Sequence, residues 1–448
     1  MTDIVCISPV DGRELVRRAP SSDADVAQGV GHARAAQREW ARTPVAERAQ
    51  CMRVAVQAML AMEREITPEL ALQMGRPVRY GASELRGFAE RAHYMIGIAE
   101  EALADIAPPP KEGFRRSIRR EPLGIVLTIA PWNYPYLTAV NSVVPALMAG
   151  NAVLLKHAAQ TLLVGDRFHK EFDGAGLPRG LFQVLTLGHP QTGALIASRA
   201  VDHVCFTGSV EAGREIERAA AGAFIGVGLE LGGKDPAYMR HDAAFDHAVE
   251  NIVDGAFFNS GQSCCGVERV YVAAPIYDRF VEAAVALTRN YVLGSPLDEA
   301  TTLGPMAKPS LAETVRAQTG EALAKGAKAH IEARDFAMDR AGSPYLAPQI
   351  LTRVDHTMGV MTEESFGPVV GIMKVASDEE AIELMNDSPY GLTASIWTGD
   401  VEAATRIGGQ LRTGTVFMAP IISIRRSPGP ASRTAGAARR CRASAMRR

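Results

Sequence analysis

Two adjacent cysteines, Cys264 and Cys265, lie in the segment FNSGQSCCGVER between a predicted helix and a predicted strand. Glycines stand on both sides, and glycine lets the backbone approach a ligand closely. A thiolate in an accessible loop attacks carbonyl carbon well, so nucleophilic catalysis is one interpretation of this segment. The other interpretation is a pair of small buried side chains, which is the more common state of free cysteine.

A carboxylate and an amide have the chemistry to assist such a nucleophile. Glu230 ends an apolar strand in LELGGKDP and is followed by two glycines, which suits a general base at the edge of a cleft. A solvated charge at a strand end is an equal alternative. Asn133 lies in the proline-stiffened loop APWNYP, where its amide can donate to a developing oxyanion. In isolation, an Asn that caps its own turn explains this loop better.

Three further segments have residue types that bind nucleotides. In FTGSVEAGRE, Gly208 and Ser209 open a predicted helix, whose N-terminus can face a phosphate, although the pattern is not G-x-G-x-x-G. In GNAVLLKH, Lys156 follows a buried strand and can bind a ribose or phosphate, or extend to solvent. In EESFGP, Glu364 and Phe366 offer a carboxylate and a ring, unless the segment is an ordinary loop.

The elements around these motifs predict an α/β fold. From residue 123, short apolar runs alternate with helical stretches, which is typical of βαβ units and a parallel sheet with ligands beyond the carboxyl ends of the strands. A second series begins near Asp235. The predicted helices cover 137–149, 161–173, 190–199, 209–219, 243–258, 276–291 and 309–325, and the later predicted strands cover 268–273, 347–351, 369–375 and 393–398.

Helices are also predicted across residues 22–107, with Ser22 as the first cap. Three prolines, Pro108 to Pro110, end this helical region. The polar segment GFRRSIRREPLG that follows is predicted to form a two-stranded arm outside the core.

Composition excludes several classes of protein. The 448 residues are 47% apolar and 22% charged, which suits two or three globular domains and argues against wholesale disorder. A formal charge of −2 gives no basic excess for nucleic acid, and six cysteines without a CxxC pair do not form a zinc ribbon. No signal peptide, membrane span or metal motif is recognised, so a cytoplasmic protein is expected.

In this order, the motifs APWNYP, GN…K, FTGS, ELGGKDP, FxNxGQxC and EESFGP resemble the NAD(P)-dependent aldehyde dehydrogenase superfamily, from about residue 20 to Met418. The resemblance implies a Rossmann-like NAD(P)-binding domain, an α/β catalytic domain and a small β oligomerisation arm in a homo-oligomer. The implied boundaries are 1–110 and 123–231 for the first domain, 111–122 for the arm and 232–418 for the second domain.

The resemblance also implies catalytic roles, and the spacing of 34 residues between Glu230 and Cys264 fits the family. Cys264 matches the nucleophile, whereas Cys265 matches a neighbour without a catalytic role. Asn133 and the backbone N–H of Cys264 match the oxyanion donors, and Glu230 matches the base that activates water. The implied reaction is oxidation of an aldehyde to a carboxylic acid through a thiohemiacetal and a thioester, without a metal.

The cofactor contacts follow from the same resemblance. Lys156 matches the adenosine-ribose contact, Glu364 the nicotinamide-ribose contact and Phe366 the residue beside that ring. Trp132, Gly208 and Ser209 match residues that line the cofactor path. The family often continues its lysine with Pro-Ser-Glu, but here His157 and two alanines follow, so the carboxylate that repels a 2′-phosphate is missing and the cofactor is NAD or NADP.

The Lys-His-Ala run and the segment GPMAKPSL resemble the succinate-semialdehyde dehydrogenase side of the superfamily, which suggests a semialdehyde substrate. An acylating dehydrogenase, which passes its thioester to coenzyme A, is an alternative that Glu230 argues against. A catalytically impaired member that only binds ligands is another.

The segment 419–448 departs from the family because residues 421–448 contain eight arginines and no acidic residue. Residues 420–441 can be back-translated with one permitted set of codons. In the shifted frame that starts at the third base of the Pro420 codon, this DNA encodes DYLDPALAWTGVKDSGRGATL, which restores the family's W-T-G-V-K-D-S-G-x-G loop. We therefore predict a frameshift that weakens oligomers and activity. A genuine solvated basic tail is the alternative.

Overall fold

The computed structural model describes residues 2–419, so the predicted aberrant tail lies outside the described residues except for Ala419. The chain divides into two compact units. The first contains the chain through Ile7 and residues 14–69 and 82–230, and the second contains residues 8–13, 70–81 and those from Leu231 onward. The assignment of these units to cofactor binding and catalysis stays a prediction.

The predicted helical region is confirmed. Ser22 caps its first helix in a capping box, because the Ser22 hydroxyl accepts the Asp25 N–H at 3.1 Å and the Asp25 carboxylate accepts the Ser22 N–H at 3.0 Å. The helices are α1 (Asp23–Trp40), α2 (Val45–Ala61), α3 (Glu63–Met74) and α4 (Gly81–Leu103).

The first unit is built on a five-stranded parallel sheet with the order β5-β4-β3-β6-β7. The middle strand β3 is buried at every residue, which explains its continuous apolar sequence IVLTI. The strands are β3 (Ile125–Ile129), β4 (Ala152–Lys156), β5 (Phe182–Val184), β6 (His203–Thr207) and β7 (Gly226–Glu230). The helices, all within two residues of prediction, are α5 (Pro135–Met148), α6 (Leu162–Asp173), α7 (His189–Ala197) and α8 (Val210–Ala220).

Two features near this sheet differ from expectation. An antiparallel hairpin of β1 (Ile4–Ile7) and β2 (Glu14–Arg18) was not predicted. The predicted two-stranded arm has two isolated antiparallel bridges, Ile106 with Ile118 and Lys111 with Phe114, rather than a continuous ladder. Residues 111–121 are exposed, as expected of a polar segment outside the core.

The second unit has a seven-stranded sheet with the order β10-β11-β12-β9-β8-β13-β14, parallel except between β10 and β11. Its strands are β8 (Asp235–Met239), β9 (Val267–Ala273), β10 (Lys328–Ala329), β11 (Gln349–Thr352), β12 (Val369–Val375), β13 (Thr393–Trp397) and β14 (Thr415–Ala419).

Helices cover both faces of this second sheet. Tyr238 and Tyr271 join one buried apolar cluster and Met239 and Val272 the other, because successive strand residues point to opposite faces. The helices are α9 (Phe245–Phe257), α10 (Tyr277–Arg289), α11 (Pro309–Ala324), α12 (Gly359–Thr362), α13 (Asp378–Asn386) and α14 (Val401–Gly408). The fold class predicted from the sequence is confirmed.

Candidate active site

Six predicted site residues of the first unit lie at one edge of its sheet. Because β4, β3, β6 and β7 are consecutive parallel neighbours, their carboxyl ends meet at the same edge. Lys156 ends β4 and Glu230 ends β7, whereas the other four follow the ends of β3 or β6 by one to four residues. Those four are Trp132, Asn133, Gly208 and Ser209.

The loop that carries Asn133 is fixed by a buried carboxylate from another helix. Asn133 is 5% exposed, and α5 begins two residues later at Pro135 without a side-chain cap of its own. Glu84 of α4 accepts the N–H groups of Tyr136 and Leu137 at 3.0 Å each, which satisfies two donors at the N-terminus of α5. Sequence reasoning missed Glu84, because its partners lie some 50 residues away along the chain.

Backbone contacts connect the start of α8 with the end of β7. Ser209 is the N-cap of α8, and its hydroxyl accepts the Ala212 N–H at 3.3 Å. The Gly208 N–H donates to the Glu230 carbonyl oxygen at 3.0 Å. A β-carbon at position 208 would lie 2.5 Å from the tip of the Phe206 ring, so a larger residue there would force that ring to move. The half-buried Glu230 side chain therefore extends from a fixed backbone.

The end of β4 carries a lysine and a histidine with different roles. Burial lowers the pKa of Lys156, because an ammonium group at the sheet edge loses part of its hydration there. His157 is fully packed, and burial lowers its pKa to about 4. Its Nδ1 accepts the Ala158 N–H at 3.0 Å and its Nε2 faces the Pro135 carbonyl oxygen at 3.4 Å. His157 is therefore a neutral structural residue that adds no negative charge beside Lys156.

In the second unit, Cys264 and Cys265 are both half-buried thiols that are not joined in a disulfide, with their sulfur atoms 3.6 Å apart. The backbone of Gly233 passes so close that a β-carbon there would lie 2.5 Å from the Cys264 carbonyl oxygen. The second glycine of ELGG is therefore needed for the close packing of this segment against the cysteine loop. Cys264 is thus partly exposed, and its role as the nucleophile stays a prediction.

Buried amides hold the backbone of the cysteine loop. Asn259 and Ser260 both adopt φ of 56°, a left-handed conformation that Asn tolerates better than most residues. The Asn259 side chain donates to the Gln262 carbonyl oxygen at 3.2 Å and accepts from the buried Arg76 guanidinium at 3.2 Å. The Gln262 side chain accepts the Ala307 N–H at 2.7 Å. Side-chain hydrogen bonds therefore support the backbone of this loop at several points.

The segment EESFGP precedes β12, which pairs with β9, the strand that follows the cysteine loop. The Glu364 carboxylate accepts the Gly233 N–H at 3.0 Å, and burial raises its pKa to about 7. Phe366 adopts φ of 50°, which is unusual for a residue with a large side chain. Gly233 thus contacts both the cysteine loop and Glu364, which brings the predicted residues of this unit to one end of the sheet.

That end is the amino end of the parallel strands, because Cys264 precedes β9 and Glu364 and Phe366 precede β12. A buried network missed by the sequence analysis lies there: Lys234, Glu268 and Ser365 are at most 4% exposed. Within residues 2–419, no cluster of three or more His, Cys, Asp or Glu side chains is suited to a metal ion. No helix in that range is long and apolar enough to cross a membrane.

A two-unit α/β architecture with a thiol loop and nucleotide-binding motifs defines a class of dehydrogenases, and comparison with known proteins agrees. The profile of the aldehyde dehydrogenase family matches residues 1–428. Succinate semialdehyde dehydrogenase [NAD(P)+] Sad of Escherichia coli (strain K12) is 32% identical over 93% of this chain and 89% of that protein.

Two other proteins extend the likeness. The putative succinate-semialdehyde dehydrogenase [NADP(+)] 2 of Mycobacterium bovis (strain BCG / Pasteur 1173P2) is 34% identical over 90% of this chain and 78% of that protein. The solved structure of betaine aldehyde dehydrogenase from Staphylococcus aureus with NAD+ has a TM-score of 0.86 and 26% identity, and covers 94% of this chain and 84% of that one. The chain belongs to the aldehyde dehydrogenase family, and the predicted class, an NAD(P)-dependent aldehyde dehydrogenase, is confirmed.

Proposed function

We propose that this aldehyde dehydrogenase oxidises a semialdehyde that carries a second, anionic group, with Cys264 as its nucleophile. The observation that carries the nucleophile assignment is the half-buried Cys264 thiol in a loop whose backbone is fixed by Asn259, Gln262 and the close approach of Gly233. The substrate class is supported by the relatives named for succinate semialdehyde and by the segment GPMAKPSL.

The residues act in sequence. The Cys264 thiolate forms a bond to the aldehyde carbon, and the negative charge moves to the aldehyde oxygen. The Asn133 amide and the Cys264 backbone N–H donate hydrogen bonds to that oxyanion. After oxidation to the thioester, Glu230 takes a proton from water, which attacks the acyl carbon and releases the acid and the thiolate. Glu230 and Asn133 belong to the first unit and Cys264 to the second.

NAD(P) supplies the hydride acceptor when it is bound. The carboxyl edge of the first sheet suits its adenosine half, because Lys156 and the N-terminus of α8 at Gly208 and Ser209 lie on neighbouring parallel strands. Trp132 follows β3 at the same edge. Glu364 would accept hydrogen bonds from the nicotinamide ribose, and Phe366 would pack beside its ring.

Both forms of the cofactor are expected to bind. The residue after Lys156 is the buried, neutral His157, and the next two are alanines, so no carboxylate there repels a 2′-phosphate. We therefore propose that NADP is accepted in addition to NAD.

The proposed function is tested by an aldehyde screen with NAD and NADP side by side, following reduced cofactor at 340 nm. Succinate semialdehyde, an uncharged aldehyde of equal chain length and betaine aldehyde form a matched set. A kcat/KM for the anionic semialdehyde at least roughly tenfold above the uncharged analogue supports the proposal, since one ionic contact gives about 1.4 kcal/mol or more. Equal values for all three would refute the substrate class.

We further propose that the chain is a cytoplasmic homo-oligomer that pairs through residues 111–122. This segment exposes large apolar side chains, with Phe114 at 64% and Ile118 at 56% exposure, and its backbone makes only isolated bridges. A reducing compartment suits a chain that depends on a free thiol. The altered tail is expected to weaken the oligomer. Light scattering tests this on the chain as given and on the frame-restored chain.

A further inference from the structure

The segment that carries Glu364 and Phe366 is held by one buried carboxylate. Glu268, the second residue of β9, is 3% exposed. Its Oε2 accepts the Ser365 N–H at 2.8 Å and its Oε1 accepts the Phe366 N–H at 2.9 Å. One side chain thus fixes two consecutive peptide groups from both of its oxygens.

A buried lysine completes the arrangement. Lys234, directly before β8, is 1% exposed, and its Nζ donates to Glu268 Oε2 at 2.5 Å and to the Ser365 hydroxyl at 2.9 Å. A buried carboxylate is stable only when it is paired and hydrogen-bonded, and these contacts meet that condition. Because β8, β9 and β12 are neighbours in the sheet, the Lys234–Glu268 pair joins the starts of three adjacent strands.

The conformation that the pair holds is not a relaxed one. Phe366 has φ of 50°, a left-handed conformation that costs a residue with a β-carbon and persists only where surrounding contacts impose it. On the other side of Ser365, the Glu364 carboxylate folds back onto the Gly233 N–H at 3.0 Å. Without the Glu268 contacts, the segment would relax and both side chains would change direction.

We propose that Glu268 and Lys234 are positioning residues for NAD(P), which hold residues 364–366 in the conformation that presents the Glu364 carboxylate and the Phe366 ring to the nicotinamide half of the cofactor. This inference rests on the proposed function, because Glu364 and Phe366 are proposed cofactor contacts. In this proposal Glu268 and Lys234 act through residues 364–366, so they are positioning residues rather than catalytic ones.

The central test is Glu268→Gln, which keeps the side-chain volume but replaces one acceptor oxygen by an NH₂ group. Three readouts are measured: the Kd of the reduced cofactor by fluorescence without aldehyde, the KM values for NAD(P) and for aldehyde, and hydrogen exchange of a peptide covering 363–368. We expect Kd and KM for NAD(P) to rise roughly tenfold or more, faster exchange in the peptide, and an unchanged rate of Cys264 alkylation by iodoacetamide.

Asp339→Asn is the matched control. The Asp339 carboxylate in the same unit also accepts a backbone N–H, from Ala347 at 3.1 Å. It pairs with a cation as well, the Arg316 guanidinium at 2.8 Å. It should lose a comparable ion pair while keeping the wild-type Kd for the cofactor. An equal rise of Kd in Asp339→Asn would overturn the proposal, because the effect would then be general softening of the unit.

Unchanged Kd and unchanged exchange in Glu268→Gln would also overturn it. If that variant does not fold, Ser365→Ala removes only the hydroxyl partner of Lys234, and a wild-type Kd in this milder variant would overturn the proposal.

Glu364→Gln separates the proposed ribose contact of Glu364 from the positioning role of Glu268. Wild-type affinity in Glu364→Gln with weakened binding in Glu268→Gln contradicts the ribose contact but supports positioning through Phe366. The reverse pattern supports the contact and overturns the positioning role.

Discussion

The two units place their predicted site residues at opposite ends of their parallel strands. In the first unit, Lys156, Ser209 and Glu230 lie at the carboxyl ends, where α/β sheets usually bind ligands. In the second unit, Cys264 and Glu364 precede β9 and β12 and lie at the amino ends. The carboxyl-end rule therefore finds the six site residues of the first unit and misses the three of the second, Cys264, Glu364 and Phe366.

The contacts that hold the site residues in place also differ between the two units. In the first unit, backbone contacts, a helix cap and the buried Glu84 carboxylate fix the edge residues. In the second unit, the loops that enter the strands need left-handed residues and buried polar side chains, such as Asn259 and Glu268. The comparison indicates that the second unit's loops depend on several buried side chains, whereas most of the first unit's edge follows from the sheet itself, with Glu84 supporting the Asn133 loop.

The largest effect is expected from Cys264→Ala, which removes the only atom that bonds covalently to substrate in the proposed reaction. Aldehyde oxidation should fall by at least about 10³-fold, since covalent catalysis is lost. Cys265→Ala is the matched control and should keep most of the activity, although its sulfur lies 3.6 Å from that of Cys264. Steady-state formation of reduced cofactor measures both, and equal loss in the two variants would contradict the assignment.

Glu230→Gln tests the carboxyl-edge residue with the most direct chemical role. Water activation should slow by roughly 10²-fold or more, while formation of the thioester is less affected. Stopped-flow traces should then show a burst of reduced cofactor, near one per active site, before slow turnover. Steady turnover at the wild-type rate would show that Glu230 is not the base.

Glu364, at the amino end of the second unit's strands, should make cofactor binding depend on pH. Burial raises the pKa of Glu364 to about 7, so the carboxylate that accepts ribose hydrogen bonds forms only as pH rises through that value. KM for NAD(P) should therefore fall between about pH 6 and pH 8. Glu364→Gln should abolish this change, and an unaltered pH profile in the variant would assign the dependence to another group.

The smallest effect concerns stability of the Asn133 loop. Glu84→Ala leaves the buried N–H groups of Tyr136 and Leu137 without their acceptor, which should lower the free energy of unfolding by about 1–3 kcal/mol. Glu90→Ala, an exposed position on the same helix, is the control and should change it by less than about 0.5 kcal/mol. Chemical denaturation compares them. A similar loss in both would mean that helix propensity, not capping, sets the cost.

Most of the fold could be predicted because it depends on local patterns. Continuous apolar runs such as IVLTI and alternation with helices specify buried parallel strands, and helix ends follow from caps such as Ser22. The hairpin of β1 and β2 was missed, since its strands are short and each has a single buried residue.

The site was predicted less evenly. Cys264 and Glu230 stand in motifs whose order is recognisable, but their roles remain predictions. Glu84 and the Lys234–Glu268 pair carry no local signal, because what makes them important is contact with residues far along the chain, such as Ser365 with Glu268 97 positions apart. A charged residue next to a buried strand is equally typical of a solvated end, and only its partners distinguish the two.

The buried His157 has a consequence for how the protein meets acid. Its pKa of about 4 lies well below the ordinary 6.5, so between these values the ring binds a proton more readily in molecules where the end of β4 has opened than in folded ones. Stability is then lost progressively as pH falls from 6.5 towards 4. Mild acid thus stabilises the rare open state by protonating His157. The rate of inactivation at about pH 5 should therefore depend on how often the end of β4 opens. A cofactor bound there should slow this rate in proportion to its occupancy.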